Sequence, residues 1–205
     1  MLQLDHIVVS ARSLKEGRAF VEAELGIPLQ KGGQHPRYGT HNLLAGLEEG
    51  IYLEVIAVDP QADPPPDPRW FALDEFDDTP CLHNWACRSD DLRADLTRMP
   101  DGMGKVQALT RGDLRWLMAV PEDGRLPFDE MCPGVLQWQG RQPAASLTPT
   151  GARLERLTIA HPQADDLARA LAPLIDDPRL TFEIAEKPSL TADLRVNGEI
   201  RSLSR

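Results

Sequence analysis

At 205 residues, with 41% apolar and 26% charged side chains, the chain has ordinary globular composition and enough length for one large domain or a few small ones, at roughly 150 residues per domain. Its 32 acidic residues outnumber 22 basic ones, giving a net charge of −10 that repels phosphate backbones and anionic lipid and so disfavours nucleic-acid and membrane partners. No run approaches the roughly 18 apolar residues of a transmembrane helix. Met1 to Ser10 reads as a strand and not as a secretory leader, so a cytoplasmic location is expected. Cys81, Cys87 and Cys132 form no CxxC pair and suit a reducing compartment, with Cys87 as plain core.

The chain repeats itself. Leu4-Asp5-His6-Ile7-Val8-Val9-Ser10-Ala11, Leu82-His83-Asn84-Trp85-Ala86-Cys87-Arg88-Ser89 and Leu154-Glu155-Arg156-Leu157-Thr158-Ile159-Ala160-His161 are short apolar runs, each followed by a helix start. In the first unit, Ser13 and Glu16 form a capping box. Leu14, Phe20, Val21 and Leu25 give a helical stripe that Gly26 ends. Strand-like runs follow at Leu29-Gln30, Thr40 to Ala45 and Ile51 to Val58, with a hairpin turn at Glu48-Glu49-Gly50.

Asp59 to Pro80 carries six prolines and seven acids and cannot continue a sheet. Its Trp70, Phe71 and Phe76 either anchor this linker on the core or close over a pocket. The second unit starts its helix at Ser89-Asp90-Asp91 and adds strands at Val106 to Leu109, Leu114 to Val120 and Val135 to Gln139. The third starts its helix at Gln163 to Asp166, with Leu167, Leu171, Leu174 and Ile175 at helical spacing. Strands follow at Leu180 to Ala185, Leu190 to Val196 and Glu199 to Leu203, the last two joined by the hairpin signal Asn197-Gly198. The expectation is an α+β chain of three β-α-β-β-β modules at 1–58, 81–140 and 153–205, separated by linkers 59–80 and 141–152.

Glu54 is the residue that carries most chemical information. It interrupts an apolar strand, and a carboxylate buried there requires a metal, a proton or a basic side chain; it can serve as a general base. His41 begins the preceding strand and is expected to reach the same cleft. His35 precedes Pro36, which favours extended backbone, and reads as loop surface. Arg115 and Trp116 alternate along a strand, so one of them lines the cleft. Trp138 reads as core, and Trp85 faces opposite to Asn84. No GxSxG elbow and no Walker or Rossmann glycine pattern occurs.

Tandem units opening on Leu4-Asp5-His6-Ile7, together with Gly32-Gly33-Gln34-His35-Pro36-Arg37-Tyr38-Gly39-Thr40-His41-Asn42 leading into Tyr52-Leu53-Glu54-Val55-Ile56, resemble the vicinal oxygen chelate superfamily of glyoxalases, bleomycin and fosfomycin resistance proteins and extradiol dioxygenases. The stretch is similar in particular to the bacterial glyoxalase-like domain branch. The resemblance implies that two modules pair into an incomplete barrel around a cleft, and that first and last strands supply metal ligands. Carried over, these positions are His6 and Asn84, and Glu54 and Gln137. The implied site is a divalent metal (Mn, Ni, Zn or Mg) on His6, Glu54 and Gln137, substrate contacts from Asn84, Trp116 and Gln137, and a proton moved by Glu54 or His41. His83 replaces Asn84 as a ligand only if its strand carries a bulge.

The implied activity is that of a metal-assisted lyase or isomerase on a small carbonyl or hydroxyl compound. The alternative is a metal-free protein of the same fold that sequesters a small molecule. The third unit, with Arg156 and Arg201 and no donor set, is expected to be structural. It would either pair with its counterpart in a homodimer or cap the first two units.

Overall fold

The fold is described from a computed structural model covering residues 1–48 and 50–205; the turn expected at Glu48-Glu49-Gly50 includes Glu49, which lies outside the described residues. The first module runs β1 (Gln3–Ser10), α1 (Leu14–Leu25), β2 (Gln30–His35), β3 (Thr40–Glu48) and β4 (Ile51–Val58). The second runs β5 (Cys81–Arg88), α2 (Leu92–Leu96), β6 (Lys105–Arg111), β7 (Leu114–Val120) and β8 (Gly134–Trp138). The third runs β9 (Arg153–His161), α3 (Ala164–Leu171), β10 (Leu180–Ile184), β11 (Ser189–Val196) and β12 (Glu199–Ser204).

Local chemistry sets the element ends. Ser13 Oγ accepts from the Glu16 amide at the start of α1, and Gly26, with φ 66°, closes the helix by donating to the Glu22 carbonyl. Gln30–His35 forms a full strand where a two-residue run was expected, because its Gln-Lys-Gly-Gly-Gln-His sequence lacks apolar alternation.

The first two modules share one eight-stranded sheet in the order β2-β3-β4-β1-β5-β8-β7-β6. In each module the first strand pairs in parallel with the last, β1 with β4 and β5 with β8. The two halves meet where β1 and β5 run antiparallel, with Ile7 opposite Trp85. The sheet curls until its edge strands face each other: Arg111 of β6 lies over Gly33 of β2, and its Nη1 reaches His35 Nε2 at 3.4 Å. The concave side of this curl is the cleft.

The third module keeps the element order β-α-β-β-β but pairs its strands differently, as β10-β9-β11-β12, with β9 parallel to the strand after its helix. It forms a separate sheet packed on the other modules of the same chain. Strands β11 and β12 lie against β5, β12 lies against α1, and the Leu2 amide donates to the Leu174 carbonyl at 2.7 Å. Of the two arrangements expected for this module, the one seen within the chain is the cap. Among the described residues no helix is long and apolar enough to cross a membrane.

The proline-rich linker is anchored by its aromatics. Trp70 stacks on Tyr38 with ring centroids 4.3 Å apart, and both Trp70 and Phe71 are buried. They also wall the cleft, so the two roles considered for them coincide. Phe76 lies instead against His83, with ring centroids 5.3 Å apart.

Candidate active site

Strand register decides which side chains meet. His6 pairs with Tyr52 and with Ala86, and Val8 pairs with Glu54 and with Asn84. Residues directly opposite share a face, so His6, Tyr52, Glu54, Asn84 and Ala86 all stand on the concave side. A bulge between Leu4 and His6 leaves Asp5 out of the ladder. Neighbouring strand residues ordinarily point to opposite faces. The bulge frees the Asp5 carboxylate to turn toward its neighbour instead.

The result is a line of polar contacts through buried groups. Trp138 Nε1 donates to Asp5 Oδ2 at 2.9 Å, and Asp5 Oδ1 lies 2.7 Å from His6 Nδ1. His6 Nε2 faces Glu54 Oε2 at 3.4 Å. Asn42 Nδ2 donates to the other oxygen, Glu54 Oε1, at 2.5 Å, and the Gly33 amide donates to Asn42 Oδ1 at 2.8 Å. The backbone amide therefore fixes which way the Asn42 amide points. This approach needs glycine: a Cβ on Gly32 would lie 2.0 Å from Asn42 Oδ1. Asp5 orients the imidazole and Asn42 orients the carboxylate, so that Nε2 and Oε2 face each other.

Around this dyad stand Tyr52, His35, Arg111, Trp116, Met118, Leu136 and Trp138, with Trp70 and Phe71 as the roof. The Tyr52 ring stacks on His6 with centroids 4.6 Å apart. Burial, followed by the charges of Asp5 and Glu54, pushes the Tyr52 phenol well above its usual range. His35 is held down to about 3 by burial and then by the Arg111 guanidinium. It is neutral at ordinary pH, so Nε2 accepts from Arg111 while Nδ1 contacts Thr40 Oγ1 at 3.0 Å. The cavity measures about 30 Å³, room for a water molecule.

Several sequence expectations are corrected here. His35 is buried in the cleft wall and not on a loop surface, and Trp138, read as core, is bound to Asp5 in the same wall. His41 stands on the opposite face of β3 from Asn42 and is half-exposed beside Asp59, its Nδ1 3.9 Å from Asp59 Oδ1. It does not reach the cleft. Gln137 also points away: its Oε1 accepts from the Leu92 amide and its Nε2 donates to the Asp90 carbonyl, tying β8 to α2. Leu136 and Trp138, its neighbours, face the cavity. With Ile7 opposite Trp85 as the centre, the counterpart of His6 is Asn84. Because Ala86 pairs with Gly134 as Val8 pairs with Glu54, the counterpart of Glu54 is Gly134.

Asn84 Nδ2 donates to Glu130 Oε2 at 2.9 Å. A bulge does occur at His83, yet the ring turns to Ser10 Oγ at 3.0 Å and lines a separate cavity of about 350 Å³ with Phe76 and Glu130. Trp116 lies in the cleft wall. Tyr52, Asn42 and Arg111 were not singled out from sequence. The one available signal was Gly32-Gly33, whose missing side chains admit Asn42 and Arg111.

The donors present do not fit a divalent metal held in the superfamily's manner. His6 Nε2 and Glu54 Oε2 are suitable, but the mirrored positions hold an amide, Asn84, whose Nδ2 is spent on Glu130 and whose unpartnered Oδ1 would be a weak carbonyl donor, and a glycine. A tetrahedral zinc site wants three or four N, S or carboxylate donors. No group of three or more His, Cys, Asp or Glu side chains placed to share an ion occurs among the described residues.

Comparison with known proteins supports the same architecture. A family described as glyoxalase-like domain matches residues 4–175. The chain is similar to a hypothetical protein from Staphylococcus aureus, with 14% identity over 100% of this chain and 85% of that one and a TM-score of 0.58. It also matches two methylmalonyl-CoA epimerases. That of Streptomyces coelicolor, in complex with 2-nitronate-propionyl-CoA, has 17% identity over 66% of this chain and 95% of that one, with a TM-score of 0.43. That of Mycobacterium tuberculosis has 18% identity over 70% and 91%, with a TM-score of 0.43. No curated protein matches.

Proposed function

The chain belongs to the family of glyoxalase-like domains within the vicinal oxygen chelate superfamily, and from that premise we propose that it is an acid–base enzyme, an isomerase or lyase that moves a proton next to a carbonyl or hydroxyl group of a small molecule. The observation that carries this reading is the buried Glu54 carboxylate, held by Asn42 on one oxygen and facing His6 on the other. Glu54 takes the proton from the substrate carbon. His6, oriented by Asp5, passes or returns it. A positioned base of this kind contributes typically 10²–10⁴-fold to rate. The chemistry does not call on a metal, since the residues mirrored from His6 and Glu54 supply no further imidazole, thiolate or carboxylate ligand. Any substrate larger than water must displace Phe71, Trp70 or Arg111 from the walls of the small cavity.

The test is hydrogen exchange. Small oxo acids, hydroxy acids and diketones are incubated with enzyme in D₂O, and deuterium wash-in at carbon is followed by NMR. Wash-in that falls at least 100-fold in Glu54→Gln and is indifferent to chelators supports the reading. Near-stoichiometric metal, lost in both His6→Ala and Glu54→Gln, would replace it with the metal-assisted form.

The aromatic walls Tyr52, Trp70, Trp116 and Trp138 favour a second reading, a binding protein for a flat apolar ligand. Saturable quenching of tryptophan fluorescence by compounds that never exchange would mark that case.

A further inference from the structure

Arg111 is the last residue of β6 and stands at the seam where the two edge strands of the curled sheet approach. Arg111 lines the His6–Glu54 cavity and also an open groove of about 560 Å³ with Lys31, Gly33, Gln34 and Gly112. We propose that Arg111 is a substrate-recognition residue, binding a carboxylate or phosphate group that reaches it through this groove and so presents the adjoining part of the substrate to Glu54. The inference rests on the acid–base reading of that dyad and names the class of compound it takes.

Three observations carry it. The first is charge. In a chain of net charge −10, Arg111 has no carboxylate within ion-pair distance among the described residues. Among the described residues its side chain has a single polar contact, with the neutral His35 Nε2 at 3.4 Å. A guanidinium has five N–H donors, so most of this fork is left for a ligand. The one acid lining the groove, Asp113, is already engaged by Arg141 at 2.6 Å, and Lys31 also has no acidic partner among the described residues. The groove is therefore a positive strip on an acidic protein.

The second observation is that the position of Arg111 is built. Its side chain lies on Gly33, where a Cβ would come within 2.8 Å of Arg111 Cδ and 2.9 Å of Cγ. The third is continuity. Arg111 is shared by groove and cavity, so an anion on its outer side needs no movement of Phe71. A planar fork also pairs with a carboxylate or phosphate through two parallel hydrogen bonds, which orients what is attached to it.

The experiment measures anion binding apart from turnover. Inorganic phosphate and acetate are titrated separately at constant ionic strength into the wild-type protein and into Arg111→Gln, Arg111→Lys, Gly33→Ala and Glu54→Gln. Binding is read from fluorescence of Trp116 and Trp70, which share the cavity with Arg111. Circular dichroism checks that each variant is folded. The expected result is saturable binding that weakens at least tenfold in Arg111→Gln. Gly33→Ala weakens it by displacing Arg111, Arg111→Lys weakens it less, and Glu54→Gln leaves it equal or tighter.

Preference for phosphate would assign the substrate as a phosphate ester, and preference for acetate as an organic acid; both support the proposal. Absent binding, or binding equal in wild type and Arg111→Gln, overturns it. Anion binding without any Glu54-dependent exchange would retain the Arg111 site and discard the enzyme reading. Glu54-dependent exchange unaltered in KM by Arg111→Gln would do the reverse.

Discussion

The Phe71 ring packs over Gly134, where a Cβ would lie 3.4 Å from its Cε1. Gly134 is the strand position that mirrors Glu54 across the two halves of the barrel, so the linker fills the space that a second carboxylate would need. The half of the cleft with a glycine at this position is the seat of an aromatic roof. That arrangement explains why the cavity is so small and why its chemistry is confined to the first module.

The roof is held in an unusual backbone. Phe71 has φ 58° and Ala72 φ 50°, both left-handed without being glycine. Such a residue costs on the order of 1–2 kcal/mol. Truncating a buried phenylalanine costs about 3–5 kcal/mol. Phe71→Ala pays the second cost without relieving the first, whereas Phe71→Gly relieves it. Urea unfolding is expected to show Phe71→Gly more stable than Phe71→Ala by about 1 kcal/mol, the reverse of the order in ordinary strands and helices. The opposite order would mean that residue 71 does not hold this backbone in solution.

Asn42 and Gly32 act as one clamp on Glu54. Asn42→Ala removes the donor to Oε1 and leaves a buried carboxylate oxygen short of a partner, at a cost of about 1–3 kcal/mol. Gly32→Ala drives a methyl into Asn42 Oδ1 and displaces the same amide. Because both changes break one contact, their effects on Glu54-dependent exchange should not add. A double-mutant cycle is expected to show the pair no slower than the worse single variant by more than about twofold. Independent, multiplying losses would show that Gly32 does something other than admit Asn42.

Much of this was legible in the chain because it is local. The repeats, the Ser13–Glu16 cap and the Asn197-Gly198 turn are written in adjacent residues, and Glu54 announced itself as a charge in an apolar strand. What was misread depends on register between distant strands. The resemblance carries the last-strand position over to Gln137, whereas pairing with β5 makes Gly134, three residues earlier, the counterpart of Glu54. Asn42 reaches Glu54 because β2 is irregular between Lys31 and Gln34, beside the two glycines. His35 was missed because β2 has no apolar alternation. The third module shares the order of its elements with the others, yet order does not say which strand pairs with which, and its first strand chose the neighbour after its helix.

The dependence of stability on pH should separate two opposing groups of buried residues. Glu130 sits at the end of three successive left-handed residues, Phe128, Asp129 and Glu130, at φ 55°, 51° and 73°. Burial pushes its carboxyl up to about 7, against the hydrogen bonds it accepts from Asn84 and the Leu126 amide. A raised carboxyl means that the folded state holds a proton the unfolded chain has released. Its contribution is fully present below about 4.5 and is lost as pH rises through about 7, to a total of about 3 kcal/mol at 1.36 kcal/mol per unit. His35 and His83 act in the other direction. Both are held down to about 3, His83 mainly by burial and then by Arg205, so the unfolded chain takes up their protons first and stability falls as pH drops from 6.5 toward 3. Between 4.5 and 6.5 the two histidines and the one carboxyl act in opposite directions, so their contributions partly cancel in the wild-type curve. Urea unfolding at several pH values, read as differences between variants, isolates each contribution. The stability of wild type relative to Glu130→Gln should decline steadily from pH 4.5 to 7, while relative to His83→Gln it should climb from pH 3 to 6.5. A wild-type minus Glu130→Gln difference that stays flat across pH 4.5–7 would place the Glu130 carboxyl in water and detach it from Asn84.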